Sequence, residues 1–263
     1  MKLKTLFVAT TVAMGALLSA TAQAETLKIG VEAMYPPYEY KDASGKLMGF
    51  DVDLADAVCA KMNVTCEWVE SSFDGLIPAL NARKFDFINS TMNITEQRKK
   101  VINFTQPIYQ SPSQLVVKSD VNVDLSADSL LKNNVTVSVL QGSAQETYAK
   151  KHWQSKGVKV ISYGNQDQAF VDLLNGRVAS TFLNTPVAKE TFLNKPEAKN
   201  FKIVDEFAKD EAILGEGIAF GVRKDDDKLK KRLDEALQAL KEEGVISNLT
   251  QKYFGGDWVV KTK

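Results

Sequence analysis

One histidine and two cysteines are all that the 263-residue chain offers for imidazole or thiolate chemistry. Zinc centres draw three or four ligands mostly from those residue types, so a metal site is not expected. A Ser-His-Asp triad would rest wholly on His152, which sits beside Trp153 in a Lys-rich helical stretch and reads as a surface polar side chain. An excess of charge is missing too, with 33 basic and 33 acidic residues. That balance gives no electrostatic footprint for a polyanion, and no basic stripe carries interleaved aromatics, so nucleic acid is not an expected partner. Nor does the chain beyond its first residues hold a stretch of about 20 apolar residues, the length a membrane-spanning helix needs.

What is present begins with a targeting pattern. Lys2 and Lys4 precede an apolar run from Leu6 to Leu18, and Ala22-Gln23-Ala24 follows. A short apolar segment behind positive charge and closed by Ala-x-Ala is the pattern of a secretory signal peptide. Residues 1–24 are therefore expected to be removed after Ala24, and no cysteine follows the cut to carry a lipid. The remaining 239 residues hold 31 basic and 33 acidic side chains, a net charge of −2, with apolar content for one large or two ordinary domains. In an exported chain the even pair Cys59 and Cys66, seven residues apart, invites one short-loop disulfide.

Short β-rich runs then alternate with helical patterns. The order is strand Thr26 to Val31, helix Asp51 to Met62, strand Thr65 to Val69, helix Leu76 to Arg83 and strand Phe85 to Asn89. Leu54, Ala55, Val58, Cys59 and Met62 share one helical face. Such alternation predicts an α/β lobe with a mainly parallel sheet flanked by helices, and a ligand crevice at the carboxyl ends of its strands. Thr105 to Lys118, extended and interrupted by Pro107 and Pro112, reads as a crossover into a second lobe of the same kind. There the strands are Val135 to Leu140, Val158 to Tyr163 and Ala179 to Leu183, with helices Gln145 to Trp153 and Gln168 to Leu174 between them. A second extended run, Gly217 to Arg223, precedes an amphipathic helix, Lys228 to Glu243, that returns the chain to the first lobe. Two joining strands make a hinge, placed at Gln106 to Ser113 and Gly215 to Val222, with lobes at 25–110 plus 218–263 and at 111–217.

Two strand-to-helix junctions carry groups suited to an anion. In Ser90-Thr91-Met92-Asn93-Ile94-Thr95-Glu96-Gln97-Arg98, Thr95 is a candidate N-cap, and Arg98 on the first turn offers a planar two-pronged donor to a carboxylate. In Leu140-Gln141-Gly142-Ser143-Ala144-Gln145-Glu146, Ser143 and Glu146 fit a capping box and Gly142 allows close backbone approach. The alternatives are a solvated surface arginine in the first case and a plain structural cap in the second. Aromatics follow strand ends at Tyr35-Pro36-Pro37-Tyr38 and at Phe73. They belong either to the core or to a clamp on a ligand side chain, where a guanidinium between rings gains about 0.5–2 kcal/mol. Glu32, at the end of the first strand, is a candidate partner for a cationic tip, or a solvated loop acid.

Read together, these segments resemble the family 3 periplasmic solute-binding proteins of ABC transporters, in particular the branch that binds lysine, arginine, ornithine and histidine. The resemblance runs from about Thr26 to Phe254. It is carried by Tyr35-Pro36-Pro37-Tyr38-Glu39, Gly49-Phe50-Asp51-Val52-Asp53-Leu54-Ala55, the Cys59/Cys66 pair, Phe73-Asp74-Gly75-Leu76-Ile77-Pro78-Ala79-Leu80, Ile94-Thr95-Glu96-Gln97-Arg98 and Leu140-Gln141-Gly142. It implies the two-lobed periplasmic binding protein fold of type II, a monomer in the periplasm without cofactor, and a membrane permease as partner.

The resemblance also implies roles. Arg98 would grip the ligand carboxylate, helped by Ser143 and the backbone near Ala144. Ser90, Thr91 and Asn93 would surround the amino-acid head, Tyr35 and Phe73 would stack on the side chain, Glu32 would meet a distal cation, and Gln145 would line the second lobe. The chain departs from the family at Asn184, where an Asp usually pairs with the α-ammonium. Asn93 and Ala144 also stand where smaller or hydroxylated residues are common. The expected ligand is thus a polar or cationic amino acid, or a derivative such as an opine. The alternative is a periplasmic enzyme resembling cyclohexadienyl dehydratase on the same scaffold, with Glu32 as its acid.

Overall fold

The computed structural model describes residues 25–260, so the expected leader lies outside the described residues. From Glu25 the chain forms β1 (Thr26–Val31) and a small antiparallel sheet of β2 (Met34–Tyr35), β3 (Glu39–Lys41) and β4 (Leu47–Met48). Helix α1 (Phe50–Met62), β5 (Thr65–Glu70), α2 (Leu76–Asn81), β6 (Phe87–Ile88), the single turn α3 (Glu96–Lys99) and β7 (Asn103–Phe104) follow. The next stretch comprises β8 (Ser113–Lys118), α4 (Ala127–Lys132), β9 (Val137–Leu140), α5 (Ala144–His152), β10 (Val160–Tyr163), α6 (Gln166–Leu174) and β11 (Ser180–Asn184). A wide helical turn at Val187–Leu193, then β12 (Phe201–Ile203) and α7 (Glu211–Leu214), complete it. The chain returns through β13 (Gly221–Val222) to α8 (Asp227–Glu242) and α9 (Val245–Phe254).

Two five-stranded sheets result, ordered β5-β1-β6-β13-β7 and β10-β9-β11-β8-β12. Within the first, β1 pairs in parallel with β5 and β6, while β13 is antiparallel to β6 and β7. Within the second, β9 pairs in parallel with β10 and β11, while β8 is antiparallel to β11 and β12. Each sheet is therefore mixed, with a single reversed strand. That strand is the one fed directly from the other sheet. A chain arriving at the carboxyl ends of the parallel strands can only run back down between them, and the two crossings impose the two reversals.

The local reasons are conventional ones. In β1, Leu27 and Ile29 are buried and Thr26 and Lys28 exposed, the period of a strand packed on one side. In α1, Phe50, Leu54, Ala55 and Val58 face the sheet, and the helix stops at Asn63 in the left-handed region, φ 54°. Helix α2 ends two residues earlier than its sequence pattern predicts, because Arg83 adopts φ 57° and turns the chain toward β6. Helix α8 buries Leu229, Leu233, Ala236, Leu237 and Leu240 and packs on α1, as its amphipathic spacing predicts. Helix α9, absent from the sequence reading, is separated from α8 by Gly244 at φ 74° and brings Phe254 against Tyr38 and Phe50.

In the second sheet's core Trp153 is fully buried, its indole N–H donating to Leu125 O at 2.8 Å. His152 is not the free surface residue the sequence suggests. It lies half-buried against the Tyr148 ring and hydrogen-bonds Asp210 at 2.7 Å.

The Cys59–Cys66 disulfide ties the end of α1 to the start of β5, with Cα atoms 6.2 Å apart. Closing so short a loop restricts the unfolded chain by an amount worth about 2–3 kcal/mol. A double Cys59→Ser/Cys66→Ser variant should lose about that much stability in urea denaturation. Ligand affinity should stay as it was, since the bridge joins the last turn of α1 to the amino end of β5, whereas the cleft lies at the carboxyl ends of the strands.

Candidate ligand-binding cleft

The loop that leaves β6 at its carboxyl end carries Ser90, Thr91, Asn93 and Thr95 into the space between the sheets before α3 begins. Thr95 is the N-cap that its sequence suggests, its hydroxyl accepting the Arg98 N–H at 3.2 Å. Helix α3 spans only four residues, so it develops little macrodipole, and the positive character of this junction comes from the guanidinium itself. Arg98 is 8% exposed. Its Nη1 donates to Asn93 O at 2.9 Å, its Nη2 to Gly142 O at 3.0 Å, and the Phe73 ring lies 5.4 Å from Cζ. Burial lowers its pKa to about 10, which leaves it charged at neutral pH. Among the described residues no carboxylate pairs with it.

The opposing junction, between β9 and α5, approaches the same guanidinium. Ser143 caps α5 by accepting the Glu146 N–H at 3.0 Å. The reciprocal contact of the expected capping box is displaced by one residue, because Glu146 accepts the Gly142 N–H at 2.7 Å instead of the Ser143 N–H. Gly142 sits at φ 75°, and a Cβ there would stand 2.8 Å from Asp74 Cα in the other half of the molecule. The N–H groups of Ala144 and Gln145, in the first turn, have no acceptor among the described residues. A groove of about 670 Å³ opens on this junction, lined by Ile77, Thr95 and Arg98 on one side and Ser143, Ala144 and Thr147 on the other.

Hydrogen bonds cross between the halves at several places. Arg98 reaches Gly142 as described, Gln141 Nε2 donates to Asp74 at 2.8 Å, and Thr191 Oγ1 donates to Pro36 O at 2.6 Å. Another joins the Tyr35 hydroxyl to Asn184 Oδ1 at 2.8 Å. Asn184, at the end of β11, is saturated. Its Oδ1 also accepts from Gln145 Nε2 at 3.2 Å, and its Nδ2 donates to Ser111 O at 3.0 Å and Ser111 Oγ at 2.7 Å. Gln145 further donates to Ser113 Oγ at 2.8 Å. The Tyr35 ring stacks 6.2 Å from that of Tyr38, and Phe73 lies against Arg98, so both aromatics have protein neighbours of their own. The Asn93 side chain points away from this network, donating to Leu214 O at 2.7 Å.

Behind the loop lies a set of acids. Glu32, just past β1, has its carboxyl pushed up to about 7, chiefly by burial and further by Asp167, against the pull of the Met34 N–H. Ser90 accepts the Glu32 N–H at 3.0 Å and donates to Glu39 at 2.9 Å. Thr91 adopts φ 44°, a strained position for a β-branched residue, and Asp51 holds it there by accepting its N–H at 2.7 Å. Every site residue expected from the sequence thus sits at the junction between the sheets, although Asn93 contributes its carbonyl and not its amide. Glu39, Asp51, Tyr109, Ser111 and Ser113 were not anticipated as neighbours of the site. Glu39 and Asp51 do stand in two of the motifs that carry the family resemblance, and that was the available signal.

The model for bacterial extracellular solute-binding proteins, family 3, matches residues 27–256. The lysine/arginine/ornithine-binding periplasmic protein of Escherichia coli (strain K12) is 39% identical over 236 residues, covering 90% of this chain and 90% of that one. The histidine-binding periplasmic protein of the same strain is 37% identical over 233 residues, with 89% of each chain covered. Among solved structures, an ancestral arginine-binding protein bound to arginine superposes with a TM-score of 0.79 at 36% identity, covering 88% of this chain and 98% of that one. The fold agrees with this kinship, and the chain belongs to the bacterial extracellular solute-binding proteins, family 3.

Proposed function

We propose that this protein captures a cationic amino acid, of the arginine, lysine or histidine kind, between its two lobes in the periplasm and presents it to the membrane permease of an ABC transporter. The observation that carries the reading is Arg98, a charged guanidinium 8% exposed and without an acid partner among the described residues. A buried ion is costly unless compensated, and a carboxylate between Arg98 and the open N–H groups of Ala144 and Gln145 compensates it with charge-assisted hydrogen bonds from both sides. Glu32 and Tyr35 then face the rest of the ligand, with Phe73 bracing the arginine. The relatives that bind lysine, arginine, ornithine or histidine support the choice of ligand class. They also favour a binding protein over a dehydratase.

In this reading residues 1–24 are the cleaved leader, lobe 1 comprises 25–110 with 218–263, lobe 2 comprises 111–217, and the mature protein is a monomer. The hinges are Gln106–Ser113 and Gly215–Val222. The ligand shifts the lobes toward closure only by binding the closed form better than the open one.

Three measurements test the proposal. Isothermal titration with arginine, lysine, ornithine and histidine should reveal submillimolar binding of at least one. Arg98→Ala should weaken that binding by about 100-fold or more, as expected for truncating one partner of a buried charged pair. Binding that survives this change intact would refute the carboxylate site. Gly142→Ala should hold the lobes apart, because its Cβ would meet the Asp74 backbone at 2.8 Å, and should raise Kd about tenfold or more. The third concerns pH. A cation binds the ionised form of Glu32, whose carboxyl is pushed up to about 7, so arginine affinity should rise with pH through that region and fall below it. Glu32→Gln should flatten the profile there, and an unchanged profile would remove Glu32 from the cation's surroundings.

A further inference from the structure

Three carboxyls, Glu32, Glu39 and Asp51, are 4%, 1% and 0% exposed, and each raises the proton affinity of Glu39 or shares its surroundings. Among the described residues none of them pairs with a basic side chain, and no group of acids is arranged to hold a metal ion. Glu39 and Asp51 converge on the Thr91 hydroxyl, at 3.2 and 3.3 Å, and two buried carboxyls brought that close disfavour a second charge, so one of them keeps a proton. Asp51 also accepts the Thr91 N–H at 2.7 Å and the Tyr109 hydroxyl at 3.1 Å. Those donors stabilise its ionised form, while burial and the Asp51 charge hold the Glu39 carboxyl well above the ordinary range. The pair therefore carries one negative charge, centred on Asp51, with no cation among the described residues to answer it.

That charge lies directly behind the residues read as surrounding the ligand's head. The Ser90 hydroxyl gives its proton to Glu39 Oε1 and takes the Glu32 N–H, which leaves one lone pair available. Thr91 Oγ1 stands 3.2 Å from Glu39 Oε2 and 3.3 Å from Asp51 Oδ2. Asn184 offers nothing comparable. Both of its acceptor positions and both of its donors are engaged by Tyr35, Gln145 and Ser111, so no lone pair remains for an ammonium.

We infer that the Glu39–Asp51 pair is the counter-charge for the α-ammonium of the bound amino acid, transmitted through the hydroxyls of Ser90 and Thr91, in place of an acid at position 184. The inference rests on the amino-acid reading above and adds to it the source of the compensating charge. Glu39 and Asp51 are positioning residues here, since the hydroxyls stand between them and the ligand.

The test compares arginine with δ-guanidinovalerate, which is arginine without its α-amine, by titration calorimetry on the mature chain. Wild-type protein should prefer arginine by about tenfold or more, and a Glu39→Gln/Asp51→Asn variant should lose that preference. If both ligands weaken by the same factor, the pair only holds the loop in shape and the inference falls. Should the variant not fold, the preference is measured against pH in a Glu32→Gln protein. The groups facing the pair are then Tyr35 and Tyr38 from the small sheet and its flank, and Tyr109 from the crossing segment. Burial holds all three phenols above their usual range, so none titrates near neutrality.

The Asp51 carboxyl is pushed up to about 6, so going from about pH 7.5 to about pH 5 neutralises the pair, and the preference for arginine should drop about tenfold. A preference that stays constant across that range overturns the inference. A wild-type protein that binds neither ligand refutes the amino-acid reading itself, a result distinct from both.

Discussion

A guanidinium buried with no acid beside it among the described residues is the constraint around which the cleft is arranged. Arg98 loses most of its hydration at 8% exposure, and two backbone carbonyls, one from each half of the molecule, return only part of it. Carbonyl dipoles satisfy hydrogen bonds but do not cancel a charge, so the site is left electrostatically open toward an anion. The second carbonyl belongs to Gly142, across the cleft, and this makes the same side chain both a ligand contact in the proposed function and a strut between the lobes. In the proposed function, closure and recognition are then one event, not two that must be coordinated.

The topology explains why such an arrangement is available. Each sheet collects its parallel strands with their carboxyl ends toward the other sheet, and the loops leaving those ends carry Glu32, Ser90 to Thr95, Gln141 to Gln145 and Asn184. The two crossings each add a reversed strand, β8 and β13, so the connections lie within the sheets they join. Ser111 and Tyr109, on the first crossing, hydrogen-bond Asn184 and Asp51, which ties the state of the connection to the state of the cleft.

The cleft carries both signs of charge. Arg98 supplies the positive group, and the acids Glu32, Glu39 and Asp51 lie behind the loop after β6, none of them with an oppositely charged partner among the described residues. An amino acid with a cationic side chain matches both signs, whereas a neutral solute would leave both uncompensated. Asn184 fits the same picture from the negative side. Its amide is committed to joining Tyr35, Gln145 and Ser111, so it serves the contact between lobes.

Much of this was legible in residue order alone. Hydrophobic periodicity determined β1, α1, α5, α6 and α8 to within a residue or two, because burying one face is a local pattern. The crossover appeared in the two prolines of Thr105 to Lys118. Thr95 and Ser143 declared themselves as caps, and Arg98 as a donor beside one of them. Tertiary structure alone decided what those groups face. That Arg98 reaches Gly142 and meets no acid among the described residues, that Glu39 lies behind Ser90, and that Asn184 is saturated by Tyr35 depend on residues 44, 51 and 149 positions apart in the chain. Spacing along a sequence specifies which face a side chain takes, but electrostatics depends on what occupies the space opposite, and that is set only when the two sheets meet.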